Sequence, residues 1–215
     1  MSLMTGDEKH NASATSTLDV LWVLYDRILR IDPARPDDDD RDRFLLSKGH
    51  GPMAYYAVLA AKGFIEVESL RTFARYDSIL GLHPDRNLVP GVEISSGSLG
   101  HGLPLAIGVT LGLRASKNSG PRVYCLVGDA ELDEGTNHEA IAVAGRFGLD
   151  ALTVIAIDNK SASLGWPGGI AKRFALEGWS TDTVNGRDHA EIEEALTRAH
   201  PRQPHVVVAE VESKS

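Results

Sequence analysis

The sequence predicts an α/β protein built on a doubly wound, mostly parallel sheet with helices on both faces. Two charge-free runs carry that expectation, Val123 to Val127 and Leu152 to Ile157. Both are rich in β-branched and aliphatic side chains, the composition of strands buried on both faces. Segments of helical spacing lie before, between and after them, so strand and helix alternate along the chain. With 215 residues, 42% hydrophobic and 24% charged, the chain has enough apolar material for one full domain. That domain is drawn over residues 18–215, after a polar, small-residue-rich arm at 1–17 that is expected to be flexible.

From Leu18 to Ile31 the residues Leu18, Leu21, Trp22, Tyr25, Ile28 and Leu29 follow helical spacing and predict a helix with one buried face. Asp37 to Asp40 is a run of four acids flanked by Pro33, Pro36 and Arg41, whose mutual repulsion marks a solvated loop rather than a metal cluster. Asp42 to Pro52 is a short apolar strand running into Gly49-His50-Gly51. Glycines on both sides let His50 face a cleft, although a plain turn histidine has the same neighbours. Helices are expected from Met53 to Lys62, from Glu66 to Tyr76 and, after the glycine-rich stretch Gly97 to Gly102, from Leu103 to Lys117. Beyond Gly128 and Asp129 a further helix runs from Glu134 to Phe147. Ser161 to Gly169 is a glycine-rich loop. A strand from about Trp179 to Asn185 follows, then a helix capped by Asp188 and reaching Ala199, and a last strand from His205 to Val211.

Composition excludes several classes. A net charge of -8 with no Lys/Arg run argues against a nucleic-acid surface. One cysteine, Cys125, permits no disulfide framework and suits a reducing compartment. With no long apolar run and no signal-peptide pattern, no membrane association is expected and the cytoplasm is the working assignment. Small molecules and another protein are the expected partners.

The chemistry gathers where the two central strands end. Asp129 follows one and Asn159 the other, thirty residues apart, so a carboxylate and an amide oxygen arrive at the same edge of a parallel sheet. Oxygen-only donors of this kind suit Mg²⁺ or Ca²⁺, and the carboxyl edge of an α/β sheet is where phosphorylated ligands sit. An aspartate that merely caps the next turn is the plainer alternative for Asp129. Gly128-Asp129 followed by Asp158-Asn159-Lys160 resembles the thiamin-diphosphate motif, and its spacing resembles transketolases most. Ala130 stands where that motif has a second glycine, at a cost of roughly 1 kcal/mol if the backbone there needs positive φ. Arg43-Phe44-Leu45-Leu46-Ser47-Lys48-Gly49-His50, Gly81-Leu82-His83-Pro84-Asp85 and Gly97-Ser98-Leu99-Gly100-His101-Gly102 resemble further elements of the same family.

The resemblance covers roughly residues 8–212 and corresponds to the amino-terminal, diphosphate-binding domain of a transketolase. It implies Mg²⁺ (or Ca²⁺) held by Asp129, Asn159 and the Ser161 carbonyl. Thiamin diphosphate would lie against Gly97, Ser98, Leu99, Gly128, Asp129, Ala130, Glu131 and Asn159. His50, His83 and His10 would surround the reacting carbonyl of a sugar or sugar phosphate. His10 stands nine residues before Asp19, in the family's register, yet between Lys9 and Asn11 it also reads as a tail histidine. Glu134 matches a glutamate that relays protons between paired cofactors, and an acid at a helix start is equally favourable for the dipole. A transketolase also needs pyrimidine-binding and carboxy-terminal domains, so the implied protein is the amino-terminal subunit of a split transketolase, active in a heterotetramer with a partner chain that carries them. A subunit of a thiamin-diphosphate 2-oxo-acid dehydrogenase or decarboxylase, and a degenerate binding subunit that has lost its cofactor, are the alternatives.

Overall fold

Strands whose side chains are apolar on both faces need cover on both sides. In a computed structural model of the protein, which describes residues 1–4 and 15–213, the helices supply it. The strands are β1 (Arg43–Leu46), β2 (Val123–Gly128), β3 (Leu152–Asp158), β4 (Ser180–Asn185) and β5 (His205–Glu210). All pairings are parallel and the order across the sheet is β1-β2-β3-β5-β4. The helices are α1 (Leu18–Val23), α2 (Met53–Ala61), α3 (Gly102–Ala115), α4 (Gly135–Phe147), α5 (Ile170–Leu176) and α6 (His189–Thr197).

Because strand side chains alternate, each central strand feeds two cores. Leu126, Ile155 and Val207 point to one face and pack with Leu21 of α1, Tyr55 of α2 and Ile192 of α6. Cys125, Val154 and Val206 point to the other and pack with Ala106 of α3, Ile141 of α4 and Phe174 of α5. All of these strand residues are buried, and truncating one such side chain to alanine costs about 2–5 kcal/mol. The chain leaves β1 for α2 on the first face but leaves β2 for α4 on the second. A crevice therefore opens between β1 and β2 at their carboxyl ends, the place where open α/β sheets bind ligands.

Several elements differ from their sequence expectation. The first helix is α-helical only to Val23 and then widens into a π-helical turn, Leu24–Ile28, where the Leu29 N–H returns to the Leu24 carbonyl at 2.9 Å. Glu66 to Tyr76 forms only the 3-10 turn Val67–Thr72. There the Thr72 hydroxyl bonds the Ser69 carbonyl (2.8 Å), and Ala74 at φ 59° stops any continuation. Helix α5, absent from the sequence expectation, has seven residues and buries only Ile170 and Phe174, too little for a period to show. The arm is packed where it is described: Met4 is buried in the first core, and Ser16 and Thr17 are buried too. Residues 5–14, and with them His10, lie outside the described residues. Among the described residues no helix is long and apolar enough to cross a membrane.

Candidate active site

Three loops converge on the crevice, and one buried carboxylate joins them. Beyond β1, the Ser47 and Lys48 N–H groups still bond the Leu126 carbonyl at 2.9 and 3.2 Å, which holds the Ser47-Lys48-Gly49-His50 turn against β2. Glu131, in a 3-10 turn after β2 (Ala130–Asp133), is 1% exposed. It accepts the Ser47 hydroxyl, the Gly100 N–H (3.0 Å) and the Gly128 N–H (3.2 Å). Burial pushes the Glu131 carboxyl up from its ordinary value, while these donors and Lys48 pull it back. The Glu131 side chain, expected against the cofactor, is thus turned inward and braces the loops.

The same packing sets the histidines. His50 and His83 meet edge to face with ring centroids 4.8 Å apart. Gly97, at φ 137°, lies beneath the His83 ring, and a Cβ there would stand 2.7 Å from its Cδ2. A Cβ on Gly49 would stand 2.7 Å from the Gly97 nitrogen, so the β1 turn and the glycine-rich loop touch backbone to backbone. Glycine is required at both positions by contact, and at Gly97 by conformation as well. Ser98 is exposed and Leu99 half-buried on this loop, whose Gly100 carbonyl accepts the Thr136 hydroxyl at 2.7 Å. His101 is exposed, and its Nδ1 lies 3.1 Å from the Leu99 carbonyl. Glu134 is exposed at the start of α4, with its aliphatic stem against Gly100.

On the neighbouring strand ends, Gly128 pairs with Ile157, so Asp129 and Asn159 lie just past the last paired residues of β2 and β3. Both are buried, at 2% and 4% exposure. Asp129 accepts four donors: the Ser161 N–H and hydroxyl (2.6 Å each), the Ala162 N–H (3.2 Å) and the Ala130 N–H (2.8 Å). Ser161 offers Asp129 its N–H and hydroxyl, and the Asp129 carboxylate caps the Ala130 N–H, because a carboxylate at a strand end takes the nearest donors. Ala130 itself has no positive φ, so its methyl group imposes no backbone strain. Asp133 repeats the pattern with Ser163 and Leu164, at 3.1 to 3.2 Å, and the two acids hold the 161–164 loop over the turn. Farther along, Trp166 stacks on His138 of α4 at 5.1 Å.

The residues fit a divalent cation with diphosphate. Asn159 Oδ1 is buried without a hydrogen-bond partner, on the strand end next to the one that carries the Asp129 carboxylate. Buried acceptors left open in this way are rare and costly, and a hard cation satisfies one directly. Among the described residues no cluster of three or more His, Cys, Asp or Glu forms a metal site, as expected for one carboxylate working with amide and carbonyl oxygens. Lys48 carries no signal of its own in the sequence, where the glycine-flanked His50 is the conspicuous neighbour. Its stem covers Gly128, with Cδ 3.0 Å from where a Cβ would lie, and it brings positive charge to a turn that holds Asp129, Glu131, Asp133 and Glu134.

Comparison with known proteins bears on the family and the fold. The family model described as transketolase, thiamine diphosphate binding domain matches residues 4–210. A protein of Actinobacillus succinogenes named as a subunit of apulose-4-phosphate transketolase is 37% identical, over 93% of this chain and 75% of its own length. A Rhodococcoides fascians protein named ferredoxin fas2 is 61% identical over the whole chain and 71% of its own length. Among solved structures, transketolase from Leishmania mexicana superposes with a TM-score of 0.82 at 27% identity, over 93% of this chain but 36% of its own.

Proposed function

The chain belongs to the family of transketolase thiamine diphosphate binding domains, and from that premise we propose that it is the diphosphate-binding subunit of a split transketolase, moving a two-carbon ketol unit between sugars or sugar phosphates. The observation that carries the reading is the shared edge: the Asp129 and Asn159 oxygen pair and the His50–His83 pair stand at the ends of adjacent parallel strands and on the loops packed against them. Thiamin diphosphate, when bound, supplies the carbon nucleophile and electron sink that ketol transfer needs.

The chain's own residues have separable tasks. Asp129 and Asn159 give oxygen donors to Mg²⁺ (or Ca²⁺), which offsets the diphosphate charge. Lys48 adds a second positive charge beside the same turn. The Glu131 carboxylate keeps the β1 turn, the Gly97–Gly102 loop and the β2 turn in register. His50 and His83, with His10 as a further candidate, donate hydrogen bonds to substrate oxygens and hold or return a proton there. Glu134, exposed at the start of α4, is available to a partner chain. The name ferredoxin belongs to the relative that bears it. Iron–sulfur clusters are held by several cysteine thiolates, and this sequence has only Cys125, buried in β2 with burial pushing its thiol up.

Calorimetry on the chain mixed with its partner tests the assignment. Thiamin diphosphate is expected to bind only with Mg²⁺ present, and Asp129→Ala to abolish binding and ketol transfer together, because the variant leaves the diphosphate charge unmatched. Unchanged cofactor binding in Asp129→Ala overturns the site.

A further inference from the structure

The opposite edge of the sheet holds a second concavity of different character. The residues just before β1, β2 and β3 line an open pocket of about 590 Å³ together with the π-helical turn and the 196–201 segment at the end of α6. Four guanidinium groups, Arg27, Arg30, Arg122 and Arg198, line it against two carboxylates, Asp42 and Asp150.

Three of the arginines are neutralised. Arg30 pairs with Asp42 at 2.8 Å, Arg27 with Glu193 at 2.7 Å and Arg198 with Asp182 at 3.0 Å. Asp42, 2% exposed, is used up: besides the Arg30 side chain it accepts the Arg30 and Arg122 backbone N–H groups at 2.9 and 2.8 Å. Arg122 differs. It is half-buried, and among the described residues its guanidinium forms no ion pair. Its Nη2 donates instead to the Asp150 carbonyl (3.1 Å) and to His200 Nε2 (2.8 Å). His200 is a neutral acceptor here, since its Nδ1 donates to the Gln203 carbonyl at 2.8 Å. A guanidinium partly withdrawn from water is normally paired, and Arg122 meets only neutral acceptors while opening on a cavity.

We propose that this cavity is a second binding site, remote from the catalytic edge, for a small molecule bearing a phosphate group, with Arg122 as its principal anchor and Arg30 and Arg198 beside it. Guanidinium groups match phosphate oxygens in bidentate fashion, and a phosphate would give Arg122 the ion pair it lacks. A bare phosphate would leave most of the volume empty. Ile28, Leu196 and Pro201 on the walls suit an organic body attached to it, and the volume lies in the range of small-molecule sites. The inference does not depend on the chemistry proposed at the other edge.

His200 is the reporter. Burial pushes its imidazole below the ordinary value and the Arg122 charge adds to that, while Asp150 acts the other way. Behind it His205 stacks at 4.9 Å, with Asp182 beside it and paired to Arg198, so His200 lies between the two arginines of the site. The test follows the His200 ring signals, assigned through His200→Asn, during titration of the full chain with inorganic phosphate and with phenyl phosphate at constant ionic strength. Both probes are expected to raise the His200 pKa, because a dianion on Arg122 makes the imidazolium less costly. Phenyl phosphate is expected to bind about tenfold more tightly, by its buried ring. Arg122→Gln keeps donors for His200 and Asp150 but removes the charge, and is expected to weaken phenyl phosphate at least about tenfold. Should that variant fail to fold, Arg198→Gln, at an exposed position, is expected to weaken it several-fold. An unmoved His200 with both probes, or equal binding by the charge-removed variant, overturns the site.

Discussion

Ala130 is the residue at which a family pattern and local physics meet most directly. A motif glycine suggests a left-handed backbone that a Cβ would strain. The structure instead makes Ala130 the first residue of a right-handed 3-10 turn, with no positive φ. Ala130→Gly is therefore expected to lower stability by about 0.5–1 kcal/mol, through the greater freedom of glycine in the unfolded chain, and to leave thiamin diphosphate affinity within about threefold. Denaturant titration and calorimetry on the assembled protein check the two halves. A variant that binds cofactor tenfold or more tightly would mean that the methyl group crowds the diphosphate. Asp129, Asn159, His50 and His83 were legible in the sequence because each sits in a short contiguous motif after an apolar run. Asp133, Arg122 and the bracing role of the Glu131 carboxylate were not, because Ser163, His200 and Ser47, which they meet, lie 30, 78 and 84 residues away and only the fold brings them together. An acid in the middle of a motif gives no sign of whether its carboxylate faces ligand or braces a loop.

At the scale of elements, the edge strand β4 and helix α6 are clipped to α1 by charge. Asp19 of α1 accepts Arg187 at 2.8 Å and His189 Nε2 at 2.9 Å, and Arg187 also pairs with Glu212 at 2.7 Å and reaches the Thr15 carbonyl. Burial pushes the Asp19 carboxyl up, but the hydrogen bonds from His189 and Arg187 outweigh it and hold the group below its ordinary value. A carboxylate whose folded pKa lies below its unfolded one stabilises fully above the unfolded value and loses that contribution as pH falls through the folded one. Asp19→Asn is thus expected to lower Tm at neutral pH, with the gap to the parent protein narrowing as pH falls below about 4. A gap constant down to acid pH would show that the clip acts through packing alone. The elements themselves were legible in proportion to their length and burial. The central strands and α3, α4 and α6 follow their hydrophobic pattern closely, whereas α5 and the 66–76 segment are short, with one or two buried residues in the helical turn of each. Which helix covers which face follows from crossover handedness and strand order, which no local pattern contains.

For the whole molecule, the decisive feature is the exposed apolar rim of the proposed catalytic edge. The chain spans 36% of the Leishmania mexicana transketolase it superposes on, and 75% of a relative named as a transketolase subunit. Around its carboxyl edge Leu82 (49% exposed, beside His83), Leu105 (49%, one turn past His101) and Leu164 (78%, on the loop held by Asp133) project into solvent, with Glu134 exposed among the same loops. Water around a histidine pair and a diphosphate site weakens each electrostatic contact there, so efficient chemistry requires that this edge be covered. Apolar side chains next to a site are the surface on which a cover would seat. We expect two copies of this chain to assemble with two partner chains carrying a pyrimidine-binding domain, each obligate interface burying at least about 2,000 Å². The chain alone is expected to show no ketol transfer, and light scattering on the mixture to give the mass of the four-chain assembly with activity rising in parallel. Leu105→Asp, which puts a charge on that surface without touching Asp129, Asn159 or the histidines, is expected to keep the fold of the free chain while reducing assembly and activity together. Full activity from the isolated chain, or assembly indifferent to Leu105→Asp, would place the covering surface elsewhere.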